Sequence, residues 1–270
     1  MMTVALGPLA LPLGPLLLIL GIALGSGLAW WLARRRAPEL AGQAADAITS
    51  AALAGLVAAR LGFVLTHAEA YRSAPLSALD VRDGGWMAAA GVAVAAAYLL
   101  WRAARARALA LPAVAGAVLG LAIWLGAGAW LAPRGAGLPP VELAALEGGR
   151  RAQLAQIAQG RPLVVNLWAS WCAPCRAEMP VLAAAQAREP GVRFVFANQG
   201  ESPEAVRRYL LTERLALQEV WLDPAAQLGP ALGSRGLPTT VFYDAQGRQV
   251  GAHVGVLNEA ALRARLAALR

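Results

Sequence analysis

Two hydrophobic rhythms run along the chain. Up to about residue 132 the apolar positions form long stretches with few interruptions; beyond it they break into short runs separated by glycine, proline and charged residues. A helix needs about 20 mainly apolar residues to cross the hydrocarbon core of a bilayer. Leu9 to Ala33 meets that length and stops at Arg34-Arg35-Arg36. Ala44 to Leu65 is a second stretch, with Arg60 well inside it. Trp86 to Trp101 is shorter but uncharged, and Leu109 to Leu131 is clear. The pattern predicts an α-helical membrane domain of about four transmembrane helices over residues 1–132.

The connections between these stretches set an orientation. Arginines in short loops are held in the cytoplasm. Arg34 to Arg36 therefore put the first loop inside, and Arg102, Arg105 and Arg107 put the third inside. The N-terminus and everything beyond Leu131 are then outside. Trp30, Trp31, Trp86, Trp101 and Trp130 fall near the expected span ends, where amphipathic rings prefer to sit, while Trp124 does not. A cleaved signal peptide is the competing reading of the first stretch. No basic segment precedes it and three more spans follow, which favours retention. An arginine inside a span faces a partner or a water-filled cavity, or it snorkels to the interface from a shifted helix; both readings are open for Arg60.

The second half reads differently. Pro133 to Pro140 is a Gly/Pro linker, and residues 141–270 are a usual domain length. Val141 to Leu146 is a short apolar run, and Arg151 to Gln159 has helical spacing. Leu163 to Trp168 (LVVNLW) is a continuous, β-branched run typical of a buried strand. Ala173 to Arg188 reads as a helix and Val192 to Ala197 as a strand. Ser202 followed by Pro203 opens a helix to about Thr212. Val220 to Leu222 is a short strand, and Pro224 opens a short helix. Thr239 to Tyr243 and Arg248 to Gly255 flank a hairpin signal, and Asn258 to Leu269 is a closing amphipathic helix. The order βαβαβαββα predicts an α/β domain with a mixed central sheet and helices on both faces.

Composition sharpens this picture in two ways. The chain is 58% hydrophobic with a mean hydropathy of +0.52, high for a water-soluble protein. Its net charge of +8 is carried by arginine alone. These arginines are scattered rather than clustered on one element, so nucleic acid is not an expected partner.

Both cysteines of the chain, Cys172 and Cys175, lie in the stretch NLWASWCAPCRAEMP, Asn166 to Pro180. Cys172 follows the buried strand and Cys175 sits in the first turn of the next helix. There the unpaired amides and the helix dipole stabilise a thiolate. The C-x-x-C spacing lets the second thiol reach back and resolve a mixed disulfide. Pro174 restricts the turn, and Trp171 can shield one side of the site. A structural zinc site needs about four ligands. The chain offers only these two cysteines with His67 and His253, and His67 lies in the membrane half. A loop this short gains little from a purely structural disulfide. Redox exchange is the strongest reading, and a copper(I) site built on the two thiolates stays open. No dissolved cofactor and no metal are expected. Because the predicted spans contain no cysteine, electrons cannot cross the membrane through this chain, and a separate donor or acceptor protein must reset the couple.

Val165 to Pro180, with W-C-x-P-C after an apolar strand, resembles the thioredoxin superfamily and is most similar to its membrane-anchored, extracytoplasmic TlpA/ResA-like branch. Asn198-Gln-Gly-Glu-Ser202 and Gly236-Leu-Pro-Thr-Thr240 are similar to further motifs of that branch. The resemblance implies that Cys172 attacks and Cys175 resolves, and that Pro238 is cis. It implies that Leu237, beside Thr239, exposes backbone groups to an incoming substrate strand. Asn166 stands where thioredoxins proper carry a buried aspartate, and Glu178 stands where this branch carries a glutamate. Glu178 is then expected to shuttle protons for Cys175; the alternative is a surface glutamate paired with Arg176 or Arg188. The implied function is a protein-disulfide reductase of the bacterial inner membrane acting on envelope clients in the periplasm. Disulfide oxidase or isomerase activity and copper(I) delivery are the alternatives.

In the first half, Ala59-Arg-Leu-Gly-Phe-Val-Leu65, then Pro75 and Gly84-Gly85, resemble the front part of the prolipoprotein diacylglyceryl transferase family. That family carries a G-G-M-S-F-H-G-G motif here. This chain reads Gly84-Gly-Trp-Met-Ala-Ala-Ala-Gly91, with Ala89 where the histidine would stand. The resemblance implies a membrane scaffold in contact with lipid. Residual lipid-related transferase activity is the alternative, against which Ala89 speaks.

Overall fold

The computed structural model describes residues 3–6, 9–72, 75–131, 137–234 and 236–269. Of the expected linker, residues 133–136 lie outside the described residues, as does the side chain of Trp130 at the expected end of the fourth span. The chain divides into two compact units. One holds Pro12–Val81 and Gly85–Ala132; the other holds Met1–Leu11, Arg82–Gly84 and Pro133–Arg270.

The chain opens with two short strands paired with each other, β1 (Thr3–Leu6) and β2 (Leu9–Pro12). Helix α1 (Leu13–Arg36) therefore starts at Leu13 rather than at Leu9. Pro12 biases Leu11 away from helical backbone, whereas Pro15 falls in the first turn, where a missing N–H is tolerated. Then come α2 (Ala41–Thr66), α3 (Ala68–Tyr71), α4 (Ala88–Arg105) and α5 (Ala110–Ala122). A π-helical turn (Ile123–Ala127) and α6 (Gly128–Leu131) continue the last of these. Among the described residues, three helical stretches are long and apolar enough to cross a membrane: Leu13–Arg36, Pro38–Thr66 and Arg107–Ala127. The remaining expected span, Trp86 to Trp101, corresponds to α4, which starts at Ala88 and has 18 residues. Arg102 and Arg105 occupy its last turn, so its apolar length is shorter than that of the other three.

These helices touch through glycine. A Cβ on Gly25 would lie 2.5 Å from the Gly116 carbonyl oxygen, and one on Gly21 would lie 2.7 Å from that of Gly120, so α1 and α5 meet backbone to backbone. Gly55 and Gly91 bring α2 and α4 together in the same way, at 2.8 Å. In lipid, apolar burial does not drive helices together, and close van der Waals approach takes its place. The large apolar side chains point outward instead: Ile19, Leu24, Leu53, Val57, Leu61, Val114 and Val118 are all exposed. At the basic end of α1, Arg35 lies 3.7 Å over the Trp31 ring and Arg34 lies 4.9 Å over Trp30. Such stacks suit a membrane–water border, where ring and cation are both at home.

The second unit is built on a seven-stranded sheet of order β4-β3-β7-β6-β5-β8-β9. Its strands are β3 (Glu142–Ala145), β4 (Arg151–Gln153), β5 (Leu163–Trp168), β6 (Arg193–Gln199), β7 (Val220–Asp223), β8 (Thr239–Tyr243) and β9 (Gln249–Val254). Its helices are α7 (Leu154–Ala158), α8 (Ala173–Arg188), α9 (Pro203–Thr212), α10 (Leu228–Ala231) and α11 (Glu259–Ala267). Strands β5, β6 and β7 are parallel, and β8 joins β5 antiparallel, which gives the expected mixed sheet. All six residues of β5 are buried, which is why it reads as one continuous apolar run. Val164 and Trp168 enter the core that includes Leu182 of α8 and Leu262 of α11, while Leu163, Val165 and Leu167 enter the one that includes Ile157 of α7.

Two elements differ from the sequence reading. Residues 151–159 form strand β4 and then α7 rather than one helix. Ala152 alternates as a buried residue between exposed Arg151 and Gln153, and the Gln153 N–H then donates to Gln156 Oε1 at 2.9 Å to start the helix. Pro224 opens a turn rather than a helix. The Asp223 carboxylate accepts the N–H groups of Gln227 at 3.0 Å and Leu228 at 2.7 Å, so α10 begins only at Leu228.

The glycine contacts are open to a direct test. Gly116→Leu is expected to lower the thermal stability of the chain in detergent by about 2 kcal/mol or more, because the inserted side chain must push α1 away. Gly27→Leu, at a position with open space around it, is expected to leave the melting temperature nearly unchanged.

Candidate active site

Strand β5 delivers the chain to one end of the sheet at Trp168, and a short loop carries it into α8. Cys172 is the N-cap of that helix, and its Sγ accepts the Cys175 N–H at 3.2 Å. Ala173 and Pro174 occupy the first helical positions, where proline removes no hydrogen bond the helix would otherwise make. Cys172 and Cys175 are joined in a disulfide, with Cα atoms 5.2 Å apart. Cys172 is 5% exposed and Cys175 fully buried, whereas Trp171 just before them is 71% exposed. Cys172 thus keeps a small exposure and Cys175 none. An amide already aimed at the Cys172 sulfur would stabilise it as a thiolate once the bond is reduced.

The loop before Cys172 is clamped by an acid from the next strand's end. Glu201 accepts the Ser170 N–H at 2.7 Å and the Asn198 Nδ2 amide at 2.6 Å, and it also takes the Ser170 hydroxyl. The motif Asn198 to Ser202 is visible in the sequence, but its target is not, because Ser170 and Glu201 are brought together only by the β5–β6 pairing.

Opposite this loop lies the start of β8, where Leu167 pairs with Thr239 and Asn166 with Thr240. The Leu237–Pro238 peptide bond just before it is cis. Thr239 is buried, and its hydroxyl donates to the Gly236 carbonyl at 2.6 Å, closing the turn around the proline. The Gly255 N–H donates to the Pro238 carbonyl at 2.9 Å. The backbone N–H and C=O of Leu237 take no part in the hydrogen bonds among the described residues.

Glu178 is one helical turn beyond Cys175 on α8 and is completely buried. Its Oε1 accepts the Asn166 amide at 2.7 Å, and its Oε2 accepts the Leu257 N–H at 3.0 Å. The same amide donates to the Thr240 hydroxyl at 3.0 Å, which leaves the buried Asn166 Oδ1 without a partner among the described residues. Burial pushes the Glu178 carboxyl up to about 7, against the opposing pull of the Leu257 N–H and the Asn166 amide. A carboxyl in that range exchanges its proton near neutral pH. The surface pairing with Arg176 or Arg188 is not what Glu178 makes. Arg176 reaches Glu213 at 2.6 Å and lies 5.7 Å over the Tyr209 ring, and Arg188 reaches Glu259 at 3.2 Å.

The family model described as Redoxin matches residues 133–268, half of the chain. The chain belongs to the Redoxin family. Among similar proteins, the thiol:disulfide interchange protein DsbE of Pseudomonas fluorescens biotype C is 37% identical over 110 residues, which cover 41% of this chain and 61% of that protein. The thiol-disulfide oxidoreductase ResA of Bacillus subtilis is 31% identical over 113 residues, 41% of this chain and 62% of that protein. DsbE of Pseudomonas aeruginosa is 30% identical over 161 residues, 57% of this chain and 88% of that protein. The chain thus spans about three fifths of the length of the first two relatives. A second model, described as prolipoprotein diacylglyceryl transferase, matches residues 2–130, so a Redoxin unit is fused to a membrane-helix unit of that kind.

Within the Redoxin unit, sequence reasoning singled out Cys172, Cys175, Glu178, Pro238, Trp171, Pro174, Leu237 and Thr239. It noted Asn166 only for what is missing there and Glu201 only as part of the Asn198 to Ser202 motif, and it missed Leu257. The Leu257 contribution is a backbone N–H, which leaves no trace in residue type.

The buried carboxyl has a consequence for stability. Its folded value of about 7 stands above its ordinary value of 4.5. The stability it contributes is fully present below about 4.5 and is lost as pH rises through about 7. The difference is on the order of 3 kcal/mol. Glu178→Gln is therefore expected to flatten the fall of melting temperature of the oxidised chain between pH 4.5 and 7.5, followed by calorimetry or near-UV dichroism. Parallel curves for the two proteins would mean that the carboxyl is not held protonated.

Proposed function

We propose that this chain is a membrane-anchored thiol–disulfide oxidoreductase whose Redoxin unit reduces disulfides of envelope proteins in the periplasm, held at the bacterial inner membrane by its helical unit. The observation that carries this reading is the C-x-x-C pair at the start of α8, with Cys172 slightly exposed, Cys175 fully buried, and a neutral-range carboxyl one turn behind Cys175. Basic residues at the ends of α1 and α4 support an orientation with both connections inside. Four crossings, with α4 as the short one, return the chain to the side on which it started.

The reaction balances within the two thiols and the client disulfide. In the reduced protein the Cys172 thiolate attacks one client sulfur; a Cys172–client disulfide forms, the client bond breaks, and the departing sulfur takes a proton. Cys175 then loses its proton and attacks Cys172 Sγ. The Cys172–Cys175 bond forms, and the second client sulfur leaves as a thiol. Two electrons and two protons pass to the client. The protein's own disulfide is the carrier, and a separate dithiol protein returns it to the reduced form. Glu178 is the group suited to take the Cys175 proton, since its ionised form becomes available as pH passes about 7. The cis Pro238 turn leaves the Leu237 backbone available to pair with an extended client segment beside the disulfide.

The redox state of the pair in cells tests the direction. Acid quenching and alkylation with a mass tag are expected to find it mostly reduced; a mostly oxidised pair that deletion of candidate oxidases leaves unchanged would reverse the assignment to disulfide donation. Cys175→Ser is expected to accumulate mixed disulfides with clients, and Cys172→Ser to accumulate none. Glu178→Gln is expected to slow turnover about 10-fold or more and to abolish its rise with pH through 7. Unchanged turnover across that range would remove Glu178 from the mechanism.

A further inference from the structure

Arg60 lies well before the end of α2 at Thr66, and it is 8% exposed. Its guanidinium lies 5.7 Å over the Tyr71 ring and donates to a set of backbone carbonyls. Nε donates to the Ala78 carbonyl at 2.9 Å, Nη1 to Gly85 at 2.8 Å, and Nη2 to Asp80 at 3.0 Å and, more weakly, to Ser77 at 3.5 Å. The chain that Arg60 gathers is not helical beyond short 3₁₀ turns, Pro75–Leu79 and Val81–Asp83.

Two further contacts fix the depth of this chain along α2. The Met87 N–H donates to the Ala59 carbonyl at 2.9 Å. Gly85 lies so close to the Phe63 ring that a Cβ there would overlap it. With a rise of 1.5 Å per residue, the carbonyl of Ala59 is about 10 Å before the end of the helix. The last turns of α2 beside this chain are apolar, and Leu61 (55%) and Leu65 (74%) are open to the outside. The gathered segment adds three more outward apolar side chains, Leu76 at 82%, Leu79 at 78% and Val81 at 53% exposure.

A loop standing in water has its carbonyls hydrated. Irregular backbone at membrane depth must instead be satisfied from within the protein. We propose that the segment from Pro75 to Val81, with Gly85 to Met87, is an interfacial re-entrant element in the leaflet at the C-terminal end of α2. Leu76, Leu79 and Val81 meet lipid acyl chains as a continuation of the Leu61 and Leu65 surface. Arg60 is the internal donor that holds the segment there. The assignment is independent of the redox reading.

The test uses the full chain with Cys172→Ser and Cys175→Ser, reconstituted in phosphatidylethanolamine–phosphatidylglycerol vesicles. A nitroxide is attached through Leu79→Cys, and its collisions with oxygen and with a water-soluble nickel chelate are measured by electron paramagnetic resonance. Leu61→Cys serves as the lipid reference and Gln246→Cys as the water reference. The label at position 79 is expected to match the lipid reference in oxygen access and to lose most of the nickel access seen at position 246. Nickel access at the level of position 246 would overturn the proposal, and so would low access to both reagents, which would mean that protein covers the segment. Adding Arg60→Leu is expected to raise nickel access at position 79. Unchanged access in a folded Arg60→Leu protein would overturn the role of Arg60, while the position 79 measurement stands by itself if that variant does not fold.

Discussion

Burying the Glu178 carboxyl ties the redox pair to the middle of the sheet. One oxygen is held by Asn166 from β5 and the other by the Leu257 N–H before α11, so the helix that begins at Cys172 is anchored one turn later to the central strand. That anchorage has an electrostatic cost, because a carboxylate leaves water for a site with two neutral donors. The cost raises the proton affinity of Glu178 into the neutral range. A single arrangement thereby positions α8 and places a titrating group behind the buried sulfur. An aspartate at the β5 position would put two acids side by side. Asn166 offers the same reach with donors instead of charge, and this lets the acid reside on the helix.

The rest of the Redoxin site is arranged around the same strand end. Glu201 holds the loop between β5 and Cys172 from the β6 side, and the turn containing cis Pro238 lies on the β8 side. Cys172 therefore follows a loop fixed on both sides, with Trp171 the exposed side chain just before it. Arg176, adjacent in sequence to Cys175, is drawn away by Glu213 and Tyr209. Stabilisation of a Cys172 thiolate then falls to the N-terminal amides of α8, which act at short range.

In the helical unit the governing constraint is the absence of water. Helices meet through glycine because backbone contact supplies what apolar burial cannot, and irregular backbone needs donors that only the protein can provide. Arg60 answers the second need. It donates to the carbonyls of Ala78, Asp80 and Gly85, so it does not snorkel away from the helices that carry it. The motif that the first half shares with diacylglyceryl transferases thus serves backbone organisation in this chain, at a place where Ala89 stands for the family's histidine.

Much of this was legible in the residues alone. The limits of β5 and β8, the start of α9 at Ser202 and Pro203, and the long apolar helices follow from local pattern, cap chemistry and length. Those signals act between near neighbours in the chain. The C-x-x-C pair at a helix start is equally local, and so is its chemistry. What the residues left open depends on distant partners. Arg151 to Gln153 carries helical spacing but becomes a strand because β3 pairs with it, and Pro224 sits in a turn because the Asp223 carboxylate reaches past it. Glu178 could have been a surface acid on a solvated helix face. Its burial, its raised proton affinity and its bond to Asn166 arise only when α8 lies across β5. Sequence determined the elements and the reactive pair; tertiary structure decided which polar groups lost their water, and with it how they titrate and what they hold.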